Sequence, residues 1–397
     1  MKIAFLTSGG IAPCLSSSIA SLIENYRMSN QSAEYIGYLN GYYGLLKGKS
    51  INLDFKTNEE IDNLKKFGGT ILGNSRVKLT NIQDCIRNNY IKKGQNPLEV
   101  SAKQLIKDKV NILHTIGGDD TNTTACDLAS FLNENGYDLT VVGLPKTIDN
   151  DVYPIHQTMG ADTAAEQGAI FFENIVNENT TSRRQLIIHE VMGRNCGWLT
   201  AATAQYYRNR LTKRTFYNLN GLYRDRWDIH AVYIPEIEID IDYESSRLNE
   251  IMNRFDCVNI FLSEGAGINN IVNDLESSGN KINRDAFGHV RLDDINPGQW
   301  YAKKISQWTN AKKVLVQKSG YFARSSPPNK TDLDLIEKTA KKAVKYALQK
   351  QSGVAALRDS TNRIECIDFM EIKGEKPFDF SQEWFDNMLI EIGQKKR

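Results

Sequence analysis

The chain has 397 residues, of which 41% are apolar and 24% are charged, which is the composition of a folded globular protein and excludes a disordered or collagen-like chain. This length is two or three times that of an ordinary domain, so a two-lobed enzyme is our first expectation. Lysine and arginine number 49 against 48 acidic residues, and the formal net charge of +1 excludes the broad positive field of a nucleic-acid-binding protein.

Short β-branched runs alternate with amphipathic helical patterns along the chain. Seven runs are predicted as strands: 3–7, 110–116, 139–144, 185–191, 231–234, 258–263 and 313–317. Four segments are predicted as helices: 15–26, 123–135, 163–176 and 333–348. We expect Thr121 or Asn122 to cap the second of these helices and Thr331 to cap the fourth. The alternation predicts an α/β fold with mainly parallel sheets wrapped by helices.

The N-terminus and the cysteines indicate the compartment. The apolar run after Lys2 is too short for a secretory signal, and no apolar stretch approaches the length of a membrane span. The six cysteines are scattered, with no CxxC pair and no histidine at zinc-ligand spacing, which favours buried free thiols in a reducing compartment. We therefore expect a cytoplasmic protein with no membrane or nucleic-acid partner.

Charged side chains follow four of the predicted strands. In open parallel sheets ligands bind beyond the carboxyl ends of the strands, so these segments are the places to look for chemistry. The four segments are 117–124, 145–151, 192–198 and 263–267. They predict a polar ligand at the carboxyl edge of each sheet.

Two glycine turns lie where a strand meets a helix. Gly9 and Gly10 follow the first strand, where glycine lets backbone amides approach a phosphate, although a tight turn without a ligand is an equally good interpretation. In the second turn Gly118 is followed by two aspartates. Because a carboxylate beside a bound phosphate is unfavourable unless a cation lies between them, we predict Asp119 as a Mg²⁺ ligand. The alternative is that Asp119 and Asp120 only favour the helix N-terminus.

The segment 145–151, Pro-Lys-Thr-Ile-Asp-Asn-Asp, is the most informative stretch of the chain. It sets one cation, one hydroxyl and two carboxylates directly after a predicted buried strand. A carboxylate here can accept the proton of an attacking hydroxyl during phosphoryl transfer, and Lys146 can hold the transferring phosphate or the leaving group. The alternative is a structural turn, since aspartate and asparagine hydrogen-bond their own backbone.

The order of these motifs resembles the phosphofructokinase family from residue 1 to about residue 330. The motifs that carry the resemblance are 145–151, the Glu-Val-Met-Gly-Arg of 190–194 and the Ser-Glu-Gly-Ala of 263–266. The resemblance implies two unequal Rossmann-like three-layer lobes with the active site in the cleft between them. It implies a larger donor-binding lobe of residues 1–158 and about 290–345. Residues 159–289 and part of 346–397 are then expected to form a smaller lobe that binds the sugar phosphate.

The resemblance also implies roles for individual residues. Asp149 matches the general base that takes the proton from the C1 hydroxyl of the sugar, and Thr147 and Asp151 match the residues that support substrate and base. Asp119 matches the residue associated with Mg²⁺. The other matches are Gly10 and Gly118 for the donor phosphates, Arg76 for charge on the transferring phosphoryl group, Met192, Gly193 and Arg194 for sugar and donor, and Glu264 for the sugar hydroxyls.

Two positions indicate the phosphoryl donor. ATP-using members of the family have glycine where this chain has Asp120, and commonly glycine where it has Lys146. The Asp120 carboxylate would fill the space and oppose the charge of an ATP α-phosphate, while Lys146 supplies a point charge for pyrophosphate. The resemblance therefore implies the pyrophosphate-using branch. Its reaction is a reversible Mg²⁺-dependent transfer from pyrophosphate to the C1 hydroxyl of fructose 6-phosphate, giving fructose 1,6-bisphosphate and phosphate.

The sugar-phosphate end departs from the family pattern. Gln185 stands where the family usually has an arginine that reaches the neighbouring subunit, and such sharing implies a homodimer or homotetramer. The family's downstream Gly-His-x-Gln-Arg pattern is matched by His289, with its arginine displaced to Arg291. Capture of the 6-phosphate is therefore assigned to His289 with Arg291 or Arg184. This leaves a longer sugar phosphate, such as sedoheptulose 7-phosphate, open as the acceptor.

Three other functions stay open. An ATP-dependent sugar kinase is disfavoured by Asp120 and Lys146, and a non-catalytic regulatory subunit by the intact segment 147–151. A diacylglycerol- or NAD-kinase relative shares only the glycine-aspartate turn. Residues after Pro327 carry no interpretable motif, and we expect them to serve packing alone.

Overall fold

The computed structural model describes residues 1–29, 32–217, 219, 221–279, 282–283 and 295–395. Its strands are β1 Lys2–Thr7, β2 Glu34–Tyr38, β3 Ser50–Asn52, β4 Ile112–Gly117, β5 Thr140–Pro145, β6 Ile155–Gln157, β7 Gln185–Val191, β8 Ala231–Tyr233, β9 Cys257–Ser263, β10 Lys313–Lys318, β11 Gly353–Arg358 and β12 Arg363–Ile367. The seven predicted strands are all present, with ends that differ by no more than two residues.

The helices lie between the strands, as the alternation predicts. They are α1 Leu15–Met28, α2 Tyr42–Lys47, α3 Asn58–Lys65, α4 Ile82–Arg87, α5 Pro97–Lys107, α6 Asp119–Glu134, α7 Ala161–Ile175, α8 Trp198–Leu211, α9 Ile241–Phe255, α10 Ile268–Ser277, α11 Pro297–Thr309, α12 Gly320–Arg324, α13 Lys330–Leu348 and α14 Glu383–Glu391. Within the ranges given above, none of the helices is long and apolar enough to cross a membrane. All six cysteines are free thiols, four of them buried.

The chain divides into two compact units, each assembled from two stretches of sequence. Unit 1 comprises Met1–Thr163 and Arg324–Lys376, and unit 2 comprises Ala164–Ala323 and Pro377–Arg397. These bounds differ from the expected lobes at the C-terminal side. The reason lies in strand pairing: β10 pairs with β7 and so belongs to unit 2, whereas β11 pairs with β5 and β12 with β11, which places both in unit 1.

Unit 1 is built around one sheet with the strand order β12-β11-β5-β4-β1-β2-β3, to which β6 is added beside β11. The strands from β11 to β2 along this path run parallel, and β3 and β12 close the two edges antiparallel. In β1, Ala4 and Leu6 join the core cluster that also holds α5 and α6. On the opposite face Phe5 stacks on His114. The His114 ring shares a hydrogen bond of 2.7 Å with the hydroxyl group of Tyr26 in α1. Alternate residues therefore bury both faces of the sheet.

Unit 2 has a four-stranded sheet with the order β10-β7-β9-β8, and all three pairings are parallel. Every residue of β7 and β9 is buried, as expected for central strands covered on both faces. One core cluster joins β7, β8 and β9 to α9, α10 and α11. His189 of β7 stacks on Phe172 of α7 and shares a hydrogen bond of 2.7 Å with Ser319. Both sheets thus carry their charged segments beyond the carboxyl ends of parallel strands.

The two predicted helix caps are wrong. The helix expected to start after Thr121 or Asn122 begins one turn earlier, at Asp119, and it has no side-chain cap. Asn122 lies inside its first turn and donates instead to the carbonyl groups of the preceding glycines. The later helix is capped by Asn329 and not by Thr331, because the side-chain oxygen of Asn329 accepts a first-turn N–H at 2.9 Å. The residue before each helix is thus Gly118, which has no side chain to cap with, or Asn329, which takes the capping role expected of Thr331.

Candidate active site

A buried lysine, Lys146, contacts the turn that follows β1. The Lys146 Nζ donates to the carbonyl oxygen of Gly10 at 2.6 Å, and only 4% of Lys146 is exposed. Gly9 has φ +80°, and a Cβ on it would lie 3.3 Å from the Lys146 Nζ. The left-handed backbone therefore favours glycine at position 9, and a side chain there would also press on the ammonium group.

Two arginines of unit 1 lie close to the same turn. Arg76 follows Ser75, whose carbonyl oxygen accepts hydrogen bonds from Gly9 N at 3.0 Å and from the Ser8 hydroxyl at 2.8 Å, so the segment before Arg76 is tied to the turn. Arg324 approaches from α12, with its Nη1 3.8 Å from the position that a Cβ of Gly10 would take. Three cations thus converge on two glycines, which is a favourable arrangement for a polyanion.

The electrostatics of Lys146 reflect this crowding. Burial lowers the pKa of its ammonium group; the Cys14 thiol and the Asp149 carboxylate act in the opposite direction, and the charges of Arg76 and Arg324 lower the pKa further. An anion bound among these cations would stabilise the charged form of Lys146. The position predicted to hold pyrophosphate therefore has the chemistry of an anion site.

Arg324 is not among the predicted site residues. A pattern that could have indicated Arg324 is present in the sequence. The segment 320–324, Gly-Tyr-Phe-Ala-Arg, comes soon after β10 and ends in a charged residue, as the segments after the four predicted strands carry charges. This segment lies after the last of the motifs that carry the family resemblance, which ends at residue 266. Position along the chain gives no indication that Arg324 lies beside Gly10, because that proximity is created by the fold of unit 1.

Asp119, the predicted metal ligand, begins α6 directly beyond the carboxyl end of β4. Burial raises the pKa of its carboxyl group, and the neighbouring charge of Asp120 raises it further, while backbone N–H groups and the charge of Lys78 lower it. Burial likewise raises the pKa of Asp151, and the charge of Asp119 adds to the effect. The two carboxylates are therefore close enough to repel each other, and a divalent cation would relieve that repulsion.

These residues fit a Mg²⁺ ion that is held partly by the protein and partly by the substrate. Within the described part of the chain, no group of three histidine, cysteine, aspartate or glutamate side chains is arranged to hold a metal ion. Mg²⁺ in phosphoryl-transfer sites is held by one or two carboxylates together with waters and substrate phosphates, and not by an all-protein cage. Asp119, with Asp151 nearby, matches that arrangement.

Asp120 has a partner that the sequence does not reveal. Its carboxylate forms an ion pair of 2.7 Å with the Lys78 Nζ, and both side chains are largely exposed. Lys78 lies two residues after Arg76, in the same segment that is tied to the Gly9 turn. The carboxylate predicted to oppose an ATP phosphate is therefore paired with a lysine from this segment.

The segment after β5 forms a turn that positions two aspartates. The Asp149 N–H donates to the Thr147 hydroxyl at 3.1 Å, and Thr147 also hydrogen-bonds Asp151, which lowers the pKa of that carboxyl group. Asn150 has φ +55°, and its side-chain oxygen accepts from the Thr158 N–H at 2.8 Å. The structural turn weighed as an alternative is thus real, but it is made by Thr147, Asn150 and Thr158. It places Asp149 and Asp151 in the segment directly beyond the end of β5.

In unit 2 the predicted sugar-binding residues meet beyond the ends of β7 and β9. Gly193 has φ +122°; its carbonyl accepts from the Ser263 hydroxyl, and its N–H lies 3.4 Å from the Glu264 Oε1. Burial raises the pKa of Glu264, while the charges of Lys318 and Arg194 lower it. Met192 precedes Gly193 in the chain, and its sulfur lies 2.8 Å from where a Cβ of Gly320, in α12, would lie. Gly193, Arg194 and Glu264 therefore form one cluster, and Met192 adjoins it in sequence.

The residues predicted to bind the 6-phosphate do not join this cluster. Arg184 precedes β7, so this seven-residue strand, about 20 Å long, separates it from Gly193. Its guanidinium donates to Asn253 Oδ1 at 2.9 Å and to the backbone carbonyl groups of residues 309 and 310. Arg184 is therefore not brought to the sugar-binding cluster of its own unit. His289 and Arg291 lie outside the described residues.

Comparison with known proteins agrees with this geometry. Residues 2–347 match the family described as Phosphofructokinase. A protein of Methylomonas methanica named pyrophosphate–fructose 6-phosphate 1-phosphotransferase is 53% identical over 396 residues, which cover 100% of this chain and 97% of that protein. A protein of the same name from Propionibacterium freudenreichii is 50% identical and covers 99% of this chain and 98% of its own length.

The fold comparison points the same way. The crystal structure of the pyrophosphate-dependent phosphofructokinase of Marinobacter aquaeolei matches with a TM-score of 0.73 at 19% identity, covering 100% of this chain and 93% of that one. The predicted α/β fold of two lobes is thereby confirmed. Together with the match over residues 2–347, the full-length likeness to relatives at 50 to 53% identity establishes that the chain belongs to the phosphofructokinase family.

Proposed function

We propose that the protein transfers a phosphoryl group from pyrophosphate to the C1 hydroxyl of fructose 6-phosphate, reversibly, giving fructose 1,6-bisphosphate and phosphate. The observation that carries the proposal is the Lys146 ammonium group, held on the Gly10 carbonyl at 2.6 Å where ATP-using members commonly have glycine. The full-length relatives at 50 to 53% identity bear the name of this activity and support the proposal.

The chemistry follows from the residues of unit 1. Asp149 takes the proton from the C1 hydroxyl as that oxygen forms its bond to phosphorus and the bond from phosphorus to the bridging oxygen of pyrophosphate breaks. Lys146, together with Arg76 and Arg324, holds the departing phosphate and the charge that develops on it. Asp119 would hold Mg²⁺, and the ion would supply charge neutralisation for the pyrophosphate. Asp151 and Thr147 keep Asp149 in position.

The cluster in unit 2 is proposed to bind the sugar phosphate. Glu264 accepts hydrogen bonds from sugar hydroxyls, and Met192, Gly193 and Arg194 border the same space. His289 and Arg291 remain the proposed ligands of the 6-phosphate. Arg184 fits that role only in a neighbouring subunit, which is one reason to propose a homodimer or homotetramer. We place the protein in the cytoplasm, in keeping with its six free thiols.

The test of the donor is the initial rate with fructose 6-phosphate and Mg²⁺, in which pyrophosphate is compared with ATP at matched concentrations. We expect a large preference for pyrophosphate. An equal rate with ATP would refute the donor. Activity with sedoheptulose 7-phosphate that exceeds activity with fructose 6-phosphate would keep the donor but replace the acceptor.

The test of the base is Asp149→Ala. Because the proton of the C1 hydroxyl then has no acceptor, we expect kcat to fall by about 10²- to 10⁴-fold. The control is Asp138→Ala, which removes an exposed carboxylate that pairs with Lys350 at the surface, and it should leave kcat unchanged. Near-normal turnover of a folded Asp149→Ala protein would remove Asp149 from this role.

A further inference from the structure

Residues 373–376, which follow β12 and which the sequence assigns to packing alone, lie against the turn that carries Asp149 and Asp151. We call these four residues the strap. Lys373 and Tyr153 exchange two backbone hydrogen bonds, of 2.8 and 3.0 Å. The Lys376 N–H donates to the backbone carbonyl of Asp151 at 2.8 Å. The strap is thus joined by three backbone hydrogen bonds to the segment that presents the proposed base.

Gly374 brings the strap into direct contact with the proposed metal ligand. A Cβ on Gly374 would lie 2.2 Å from Asp119 Oδ2 and 2.9 Å from its Cγ, distances at which the carboxylate would have to move. The backbone of Gly374 is not in the left-handed region, so an alanine can adopt its conformation. Glycine at this position is therefore required by the Asp119 carboxylate and not by the turn itself.

The Lys376 side chain anchors the C-terminal end of the strap. Its Nζ donates to the carbonyl of Ile155 and lies 3.4 Å from the Asp359 carboxylate, and 19% of the side chain is exposed. By contrast, the side chain of the neighbouring Lys373 is exposed. Only the Lys376 side chain is therefore seen to anchor the strap, through β6, the strand that follows the turn.

We propose that the strap positions the Asp119 and Asp151 carboxylates for magnesium pyrophosphate, with Gly374 and Lys376 as positioning residues. Gly374 sets where the Asp119 carboxylate lies, and Lys376 fixes the turn that carries Asp151. Neither residue needs to touch a substrate for this role. The inference rests on the proposed function, because it assigns the strap to the same donor site.

The first test is Gly374→Ala. Because the new methyl group displaces the Asp119 carboxylate, we expect the affinity for the metal with pyrophosphate to fall by about 10- to 100-fold, as on loss of a group that orients a metal ligand. The readout is calorimetric titration with Mn²⁺ in the presence of inorganic pyrophosphate, without the sugar, so no turnover is needed. The urea midpoint should stay close to that of the unaltered protein. Mn²⁺ binding equal to that of the unaltered protein would refute the role of Gly374.

The second test compares Lys376→Met, Lys376→Arg and Lys373→Met. Lys376→Met should lower kcat by about 10- to 100-fold, because a displacement of about 1 Å costs that much, and should leave the KM of fructose 6-phosphate nearly unchanged. Lys376→Arg keeps the charge and the donors and should restore most of kcat. Lys373→Met removes the same charge from an exposed side chain of the strap and should behave as the unaltered protein. Equal loss in Lys376→Met and Lys373→Met, or none in either, would refute the role of Lys376.

The outcomes separate the strap from the function itself. If the unaltered protein shows no pyrophosphate-driven rate, the proposed function fails, and the Mn²⁺ titration still tests the strap. If the unaltered protein is active and all variants match it, the strap alone is refuted. If Lys376→Met does not fold, Gly374→Ala decides, because its backbone conformation is open to alanine.

Discussion

Asp120 shows how a single carboxylate changes what the end of a strand can bind. Its ion pair of 2.7 Å with Lys78 holds the negative charge beside the glycine turn, where an ATP-using relative has no side chain at all. The charge does not disturb a ligand as short as pyrophosphate if that ligand lies on the Lys146 side of the turn. A longer polyphosphate would have to pass the carboxylate. Donor choice is thus expected to depend on electrostatic repulsion as much as on attraction.

We therefore expect Asp120→Gly to shift donor preference toward ATP. Two like charges about 4 Å apart cost about 1 kcal/mol in water and about 4 kcal/mol near a protein surface, so the ratio of kcat/KM for pyrophosphate to that for ATP should fall by at least about fivefold. The matched variant is Lys78→Met, which leaves Asp120 unneutralised and should weaken the use of ATP further. A ratio that is unchanged in Asp120→Gly would show that this carboxylate does not select the donor.

At the scale of elements, a buried carboxylate joins the starts of α7 and α13 in unit 1. Asp332, in the first turn of α13, accepts hydrogen bonds from the N–H groups of Gly160 and Thr163, at 2.9 and 2.8 Å, and from the Thr163 hydroxyl. Burial raises the pKa of Asp332 to about 6, with a contribution from the charge of Asp162, although these hydrogen bonds act in the opposite direction. The element pair therefore holds a group that titrates in the mildly acidic range.

This pKa predicts a pH dependence of stability with a definite sign. The folded-state pKa of Asp332 of about 6 exceeds its ordinary value of 3.8, so between these values the folded state binds more protons than the unfolded state. The contribution to the free energy of unfolding is full below pH 4, falls as the pH rises to about 6, and is constant above that. The total change is at most about 3 kcal/mol.

The measurement is urea unfolding from pH 4 to pH 7 for the unaltered protein and for Asp332→Asn. We expect the advantage of the unaltered protein to shrink across this range, because asparagine does not titrate. Asp138→Asn, which changes an exposed carboxylate, should run parallel to the unaltered protein. A difference between Asp332→Asn and the unaltered protein that is independent of pH would contradict the raised pKa.

For the whole molecule, the sequence predicts best where the buried parallel strands lie along the chain. Strands β7 and β9 are buried along their whole length and rich in leucine, isoleucine and valine, and charged segments follow them, so the sheets and the positions of these charged segments were predictable. Strands β3 and β11 were not, because one is a three-residue exposed edge and the other, Gly-Val-Ala-Ala-Leu-Arg, has a single β-branched residue.

The residues of the candidate site also differ in how far the sequence predicts their positions. Residues that follow a strand directly, such as Asp119 and Asp149, were predictable because the sheet alone determines where they lie. Arg324, Gly374 and Lys376 were not, because tertiary contacts bring them to the glycine turn and the aspartates from far along the chain. A sequence motif shows which residues are adjacent along the chain, but it does not indicate which distant segment packs against them.

The last stretch of the chain belongs to unit 2, which has a consequence for the stability of that unit. The strand β8 lies at the edge of its sheet, and the Gln394 side chain pairs with both backbone groups of Val232 in this strand, at 2.8 and 2.9 Å. In α14, Phe385, Met388 and Leu389 are buried. An open strand edge and a lost apolar helix are both destabilising, so unit 2 depends on residues remote from the rest of its sequence.

We therefore predict that a chain ending at Lys376 loses unit 2 selectively. Each of the three buried side chains of α14 contributes about 2 to 5 kcal/mol, and their sum is comparable with the total stability of a domain, about 5 to 15 kcal/mol. Calorimetry should show a transition for unit 1 and none for unit 2, and turnover should be lost because the Glu264 cluster is no longer formed. Gln394→Ala, which removes only the edge contact, should cost about 1 to 3 kcal/mol and retain activity. A truncated chain that keeps both its transitions and its turnover would show that α14 is dispensable and that the stability of unit 2 resides in its own sheet.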